Sequence, residues 1–494
     1  MTRVHAAAAK NIRCAMAGKI FALRTLLIIF ITFLFLSCDL FLDVKVDNSG
    51  NFWATNYSTE KNYRVKAELF AEGKYCNVWV ERGSGVSKEQ AKTVASIYDT
   101  KIHGLMINAF GIENPSYDGR DFPDIMKVAD YLGDGDGKLC ILLLDIKDDY
   151  KAGVNESFVA GYFWSRNFLN IQESNKCDMI YLDTYPGMGI RDKNIENVFT
   201  TLAHEMQHMM NYVTRRILLS GNNFTSMDVW IDEGLSSAAE YIIGGKQSKD
   251  RIDWYNENGD SKVKIKGLID QGNNFFVWEN YKKENPYAVL DDYATVYLFF
   301  QWLRIQKGIG VYRDIISSSY GDYRAVAEAM GEDWDTLLKD WMAANYINSS
   351  TGVYGYKGEI QVTTHTVPAG KKEIDLYPGE GVYSLTDASD TMPIKGVKIR
   401  YVGLDKKAGV NDSSVFASGR LLTYNIDTVV FMNANGHPTA SPETGITTGK
   451  AASVNITPGR SAVPSYSGPY RIGAGDVLSR NGRNRDTSWD FQDK

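Results

Sequence analysis

The chain has 494 residues, 44% hydrophobic and 23% charged, with a formal charge of −6. That length exceeds one ordinary domain and predicts two or three, and the composition is that of a soluble globular protein. The acidic balance argues against nucleic acid as a partner.

Residues 1–37 depart from that average. Arg3, Lys10, Arg13, Lys19 and Arg24 occur there with no acid, and Leu26 to Leu36 is apolar apart from Thr32 and leads into Ser37-Cys38. A basic region, a short apolar core and a cysteine form an export signal of lipoprotein type over 1–37, with Cys38 as the lipidated first residue. Phe35 stands where such signals usually carry Leu. A retained membrane anchor is the alternative, although the apolar run is short for a span. Loss of the five positive charges takes the formal charge from −6 to −11. The expected location is extracytoplasmic, with the chain lipid-anchored to a bacterial membrane or cell surface. Cys76, Cys140 and Cys177 are odd in number, have no metal-like spacing and read as buried apolar side chains.

Residues 38–61 are polar and read as a tether. Tyr63 to Phe70 and Tyr75 to Glu81 alternate as paired strands do. Lys88 to Phe110 carries one apolar stripe and predicts a helix, and Phe122 to Leu132 a shorter one. Gly133-Asp-Gly-Asp-Gly137 separates that helix from Leu139 to Ile146, a buried strand. The acidic turn resembles the start of a Ca2+ loop. It lacks the later ligands and the closing glutamate of an EF-hand, so a tight turn is the stronger expectation. Tyr150 to Leu169, with the aromatic run Phe158 to Trp164, reads as a hairpin or loop near a cleft. Asp178 to Thr184 is a strand, either internal or the sheet edge that an extended peptide would join.

Thr200 to Tyr212 reads TTLAHEMQHMMNY. Apolar residues recur at helical spacing, so Asn197 to Arg216 is predicted as a helix. Positions i and i+4 lie one above the other on such a helix, which lets His204 and His208 reach one cation. Glu205 is turned about 100° around the axis, where it suits a base and not a ligand. This H-E-x-x-H pattern is the zinc hydrolase arrangement. Three protein ligands and an open position need one more donor. Asp228 reads as the N-cap of a second helix that Gly244-Gly245 stops. Glu233 near its start is the best third ligand, and Glu240, two turns along the same face, could hydrogen-bond a ligating imidazole.

TTLAHEMQHMMNY followed by WIDEGLSSAAEY resembles the gluzincin zinc metallopeptidases. Within that class the chain is most similar to the hyicolysin family of secreted neutral metalloproteases, over roughly residues 60 to 350. SNKCDMIYLDT and Tyr75 to Glu81 share in the likeness. Asp232 departs from it, standing where the gluzincin pattern usually has Asn, and so does the longer spacer from His208 to Glu233. The resemblance implies one Zn2+ ion on His204, His208 and Glu233, Glu205 as general base and a peptide or protein substrate. It also implies a role for Tyr293, which opens the apolar helix Asp291 to Trp302, as hydrogen-bond donor to the developing oxyanion.

Helices follow to about residue 347. The expected fold is α+β: a zincin-like catalytic domain with a mixed sheet and active-site helix over 62–227 and a helical half over 228–350. A β-sandwich-like accessory domain over 351–472 and a disordered tail over 473–494 complete the chain. His365 and His437 fall in no motif. The reading of the residues is a zinc peptidase, with an inactive surface lipoprotein, an adhesin or binding protein, as the alternative. Oligomeric state is not set by the sequence.

Overall fold

The structure is a computed structural model. It describes residues 50–364 apart from 155–157, 189–194, 219–226 and 257–287, together with six strands between 366 and 447.

β1 (Asn51–Asn56) and β3 (Cys76–Glu81) flank β2 (Lys61–Glu72), and each runs antiparallel to it. The stretch 51–56, polar enough to read as tether, therefore forms a strand, paired along its whole length with β2. α1 (Lys88–Ile97) opens on a capping box in which Ser87 and Gln90 satisfy each other's backbone N–H. It continues through a π turn, Tyr98–Ile102, into α2 (His103–Phe110), so the single helix expected here is interrupted. β4 (Ser116–Tyr117) and β5 (Arg120–Asp121) form a small hairpin. Asp124 caps α3 (Ile125–Leu132) by accepting the Lys127 N–H at 3.0 Å.

β6 (Leu139–Leu144), β7 (Gly161–Phe163) and β8 (Met179–Asp183) complete a six-stranded mixed sheet in the order β1-β2-β3-β6-β8-β7. β3, β6 and β8 are parallel, and β7 is antiparallel to β8. The strand at 178–184 is thus internal, and the aromatic run supplies the sheet edge. Leu139, Ile141 and Leu143 of β6 join the core on the helix side, while Cys140, Leu142 and Leu144 join a second core on the opposite face. Burial on both faces explains why this strand reads as a continuous apolar run. Cys76, Cys140 and Cys177 are all buried.

The helical part comprises α4 (Glu196–Leu218), α5 (Val229–Gly244), α6 (Lys249–Tyr255), α7 (Ala288–Lys307), α8 (Gly310–Ser317), α9 (Tyr323–Met330) and α10 (Trp334–Ile347). α4 packs on β7 and β8 on one side and along α5 on the other, and α5 packs in turn on α7. Asp228 occupies the N-cap position of α5 but its side chain makes no capping hydrogen bond. Gly245 ends the helix at φ 68°, a left-handed conformation that costs glycine no Cβ clash. The mixed sheet and helices make the fold α+β, as expected.

β9 (Thr366–Val367), β10 (Glu373–Asp375), β11 (Gly381–Leu385), β12 (Ile399–Lys406), β13 (Ile426–Asn433) and β14 (Gly445–Thr447) follow. They pair in the orders β12-β13-β11-β9 and β10-β14. The remainder of the β-sandwich expected over 351–472, the tail 473–494, the signal with Cys38, and both His365 and His437 lie outside the described residues. Among the described residues no helix is long and apolar enough to cross a membrane.

Candidate metal centre

α4 carries a polar stripe along its buried side: His204, Gln207, His208 and Asn211 are all buried, at the i, i+3, i+4, i+7 spacing of one helix face. Met206, Met209 and Met210 fill the core beside it. α5 answers with a second stripe of Asp232, Glu233 and Ser236, also buried. A buried stripe of this kind is costly unless its members satisfy one another or bind something.

The side chains meet in pairs. His204 Nε2 lies 3.3 Å and His208 Nε2 3.8 Å from Glu233 Oε2. The other nitrogen of each ring is held elsewhere. His204 Nδ1 is 2.7 Å from Glu240 Oε1. His208 Nδ1 faces both Ser236 Oγ at 3.0 Å and Asp232 Oδ2 at 3.1 Å, of which the carboxylate is the stronger acceptor. Asp232 is fixed in turn by the Asn211 amide, which donates to its Oδ1 at 2.5 Å, and Ser236 is hydrogen-bonded to Gln207. Each Nδ1 thus faces a polar side chain, and both Nε2 atoms lie on the Glu233 side.

One donor atom each from His204, His208 and Glu233 lies within 4.8 Å of the others, a separation that one cation can span. Glu233 Oε2 and His204 Nε2 are buried and have no hydrogen-bond partner among the described residues. Two imidazoles and a carboxylate, each ring oriented by an acid on its far nitrogen, are a donor set that fits zinc.

Glu205 sits beside this set, fully buried. Its Oε2 accepts the backbone N–H of Phe163 in β7 at 2.7 Å, while Oε1 has no hydrogen-bond partner among the described residues. Gly161 allows that approach: a Cβ there would lie 2.8 Å from Thr201 Cγ2 of α4 and 2.9 Å from the Tyr181 carbonyl. Burial, with Glu233 and Asp232 adding, pushes the Glu205 carboxyl well above the ordinary range, against the pull of His204 and the Phe163 N–H. Burial disfavours charge on His204, yet Glu233 and Glu240 outweigh it and raise the imidazole to about 9. Glu240, although desolvated, is held below its usual value chiefly by His204, with Arg251 contributing. The Arg251 guanidinium also lies 4.5 Å from the ring centre of Tyr293 in α7.

No protein-family model matches this chain. It is 32% identical over 324 residues to the neutral metalloprotease ShpI of Staphylococcus hyicus, a match covering 64% of this chain and 66% of that one. The chain spans just under two thirds of the relative's length. The structure brings His204, His208 and Glu233 together and sets Glu240 against the far nitrogen of His204. Asp232, Ser236 and the Phe163 N–H are partners that sequence reasoning missed. In the sequence Asp232 stands out only as a departure from Asn, and its i, i+4 pairing with Ser236 is the signal available.

Proposed function

We propose that the chain is a zinc-dependent peptidase, with His204, His208 and Glu233 as metal ligands and Glu205 as general base. The observation that carries this reading is the meeting of two Nε2 atoms with one carboxylate oxygen, beside a glutamate with one oxygen anchored and the other without a partner among the described residues. Zinc supplies Lewis acidity toward a scissile carbonyl and an acidified water, with a pKa near 7 against about 15.7 in bulk. The chain's own residues do the rest. The Phe163 N–H holds Glu205 Oε2, so that Oε1 is presented to take the proton of the attacking water and return it to the leaving amine. The raised proton affinity of Glu205 suits a group that must both take up and hold a proton. Tyr293 is proposed as the donor to the developing oxyanion, a role a phenol can fill because it stays protonated at neutral pH. β7, the edge strand that touches Glu205, is the proposed strand along which an extended peptide lies, which favours endopeptidase action.

The relative's name, neutral metalloprotease, supports a peptide or protein substrate. Lipid attachment at Cys38, a membrane partner and an extracytoplasmic location are proposed from the signal-like sequence of 1–38, and the division at residues 227 and 350 from the order of the elements.

Glu205→Gln tests the reading. It should keep its zinc and its melting temperature while cleavage of casein or a quenched peptide falls about 10²–10⁴-fold. Normal cleavage by this variant would remove Glu205 as the base, and wild-type cleavage unaffected by chelators would remove the metal.

A further inference from the structure

The acidic glycine turn after α3 does not stand alone in the fold. Asp130 in the last turn of α3, Asp134 in the turn, and Asp178 directly before β8 each bring one carboxylate oxygen to within 4.8 Å of the other two. The backbone is arranged to hold them together. The Gly137 N–H donates to Asp130 Oδ1 at 2.7 Å, and the Gly135 N–H to the Asp130 carbonyl at 2.9 Å, folding the turn back over α3. Gly133 passes so close to the segment before β8 that a Cβ would lie 2.6 Å from the Asp178 nitrogen.

Asp178 is the informative member. It is 1% exposed, and its Oδ1 is buried with no hydrogen-bond partner among the described residues. The nearby cations do not answer it. Lys127 donates to the Gly137 carbonyl at 2.8 Å, and Lys138 pairs with Glu72 at 3.6 Å. Asp136 is engaged apart from the group, accepting from Asn77 Nδ2 at 3.1 Å and from the Lys138 N–H at 2.8 Å.

We propose that Asp130, Asp134 and Asp178 hold a calcium ion that fastens the turn after α3 to the start of β8. Calcium binds oxygen at about 2.3–2.6 Å, so its ligands stand at most roughly 5 Å apart, a limit these oxygens meet. Magnesium demands a tighter octahedron, and the hard, all-carboxylate donor set does not suit zinc. The turn lacks the later ligands of an EF-hand, and the fold supplies replacements from α3 and from the segment before β8. Calcium takes about 6–8 oxygens, so water would fill the positions that the three carboxylates leave open. The competing occupant is a proton shared among the carboxyls, since burial, then Asp134 and Asp130, push Asp178 well above the usual carboxylate range.

The test uses the full chain with zinc held at one equivalent, and its readouts do not depend on peptidase activity. Equilibrium dialysis against CaCl2 should find about one more calcium per wild-type chain than per Asp134→Asn chain. Calcium should raise the wild-type melting temperature by several degrees while leaving that of Asp134→Asn unmoved. Asp178→Asn should behave likewise; if it fails to fold, the more exposed Asp134 decides. Equal calcium binding by wild type and Asp134→Asn, or a melting shift that sodium chloride at matched ionic strength reproduces, would overturn the calcium site and leave the shared proton.

Discussion

Glu233 and Glu240 both touch His204, but from opposite sides of the ring. Glu233 Oε2 stands near the Nε2 atoms of both histidines, at 3.3 and 3.8 Å, whereas Glu240 reaches only Nδ1. On the proposed ligand set, removing the negative charge of Glu233 deletes a ligand, while removing that of Glu240 only loosens the orientation and basicity of one. Glu233→Gln should therefore lose zinc on dialysis, and Glu240→Gln should weaken zinc by about 10–100-fold, the range for partners of a ligating imidazole. Competition against a chromophoric chelator measures both, and the reverse order would exchange the two roles. These glutamates were legible in the sequence because helical spacing is local: His204 to His208 is one turn, and Glu233 to Glu240 is two. Asp232 and the Phe163 N–H were not, because their partners belong to α4, and no periodicity within α5 or β7 says which of their faces α4 will cover.

At the scale of elements, the position of Glu233 depends on how closely α5 approaches α7. Gly234 makes that contact: a Cβ there would lie 2.2 Å from Phe300 Cε2 and 2.4 Å from Cδ2. Phe300 is itself fully buried, so its ring has little room to withdraw. Gly234→Ala should cost about 1–3 kcal/mol by overpacking and, by pushing α5 away from α7, should weaken zinc binding as well. Gly245→Ala is the comparison. Its φ of 68° makes a side chain unfavourable by about 1–2 kcal/mol, but nothing lies within 4 Å of the new Cβ. It should lower the melting temperature with zinc affinity unchanged. Equal zinc affinity in the two variants would show that the α5–α7 contact does not set the position of Glu233. Most elements were readable from pattern, α4 to within a residue or two at each end. The exceptions have physical causes. β1 is six residues inside a largely polar stretch, with only Phe52 and Ala54 fully in the core and β2 paired along its length, and the π turn at Tyr98–Ile102 leaves the apolar stripe of the sequence unbroken. The edge position of β7 is a property of strand order, which alternation within one strand does not encode.

For the whole molecule, the buried charges make stability depend on pH in a direction that zinc opposes. His204 is raised to about 9 in the folded protein by Glu233 and Glu240, which overcome its burial. Its contribution to the metal-free protein is fully present below the unfolded histidine value of about 6.5 and is lost as pH rises through about 9. Glu205 is shifted the same way, chiefly by burial, so it too binds its proton more tightly folded than unfolded and loses stability as pH rises. Burial also raises Asp228 to about 7, and its contribution is already declining by neutral pH. Every one of these groups makes the folded metal-free chain bind more protons than the unfolded one, so its melting temperature should fall between about pH 6.5 and 9. Zinc binds neutral imidazole and must displace the His204 proton, so its affinity should rise about tenfold per pH unit across the same window. The stabilisation by zinc, read as the difference between zinc-loaded and metal-free melting temperatures, should accordingly widen with pH. Calorimetric scans of both forms at several pH values measure it. A metal-free melting temperature that climbs from pH 6.5 to 9 would mean that His204 is not held protonated by its two carboxylates, and that the centre is assembled by zinc instead of awaiting it.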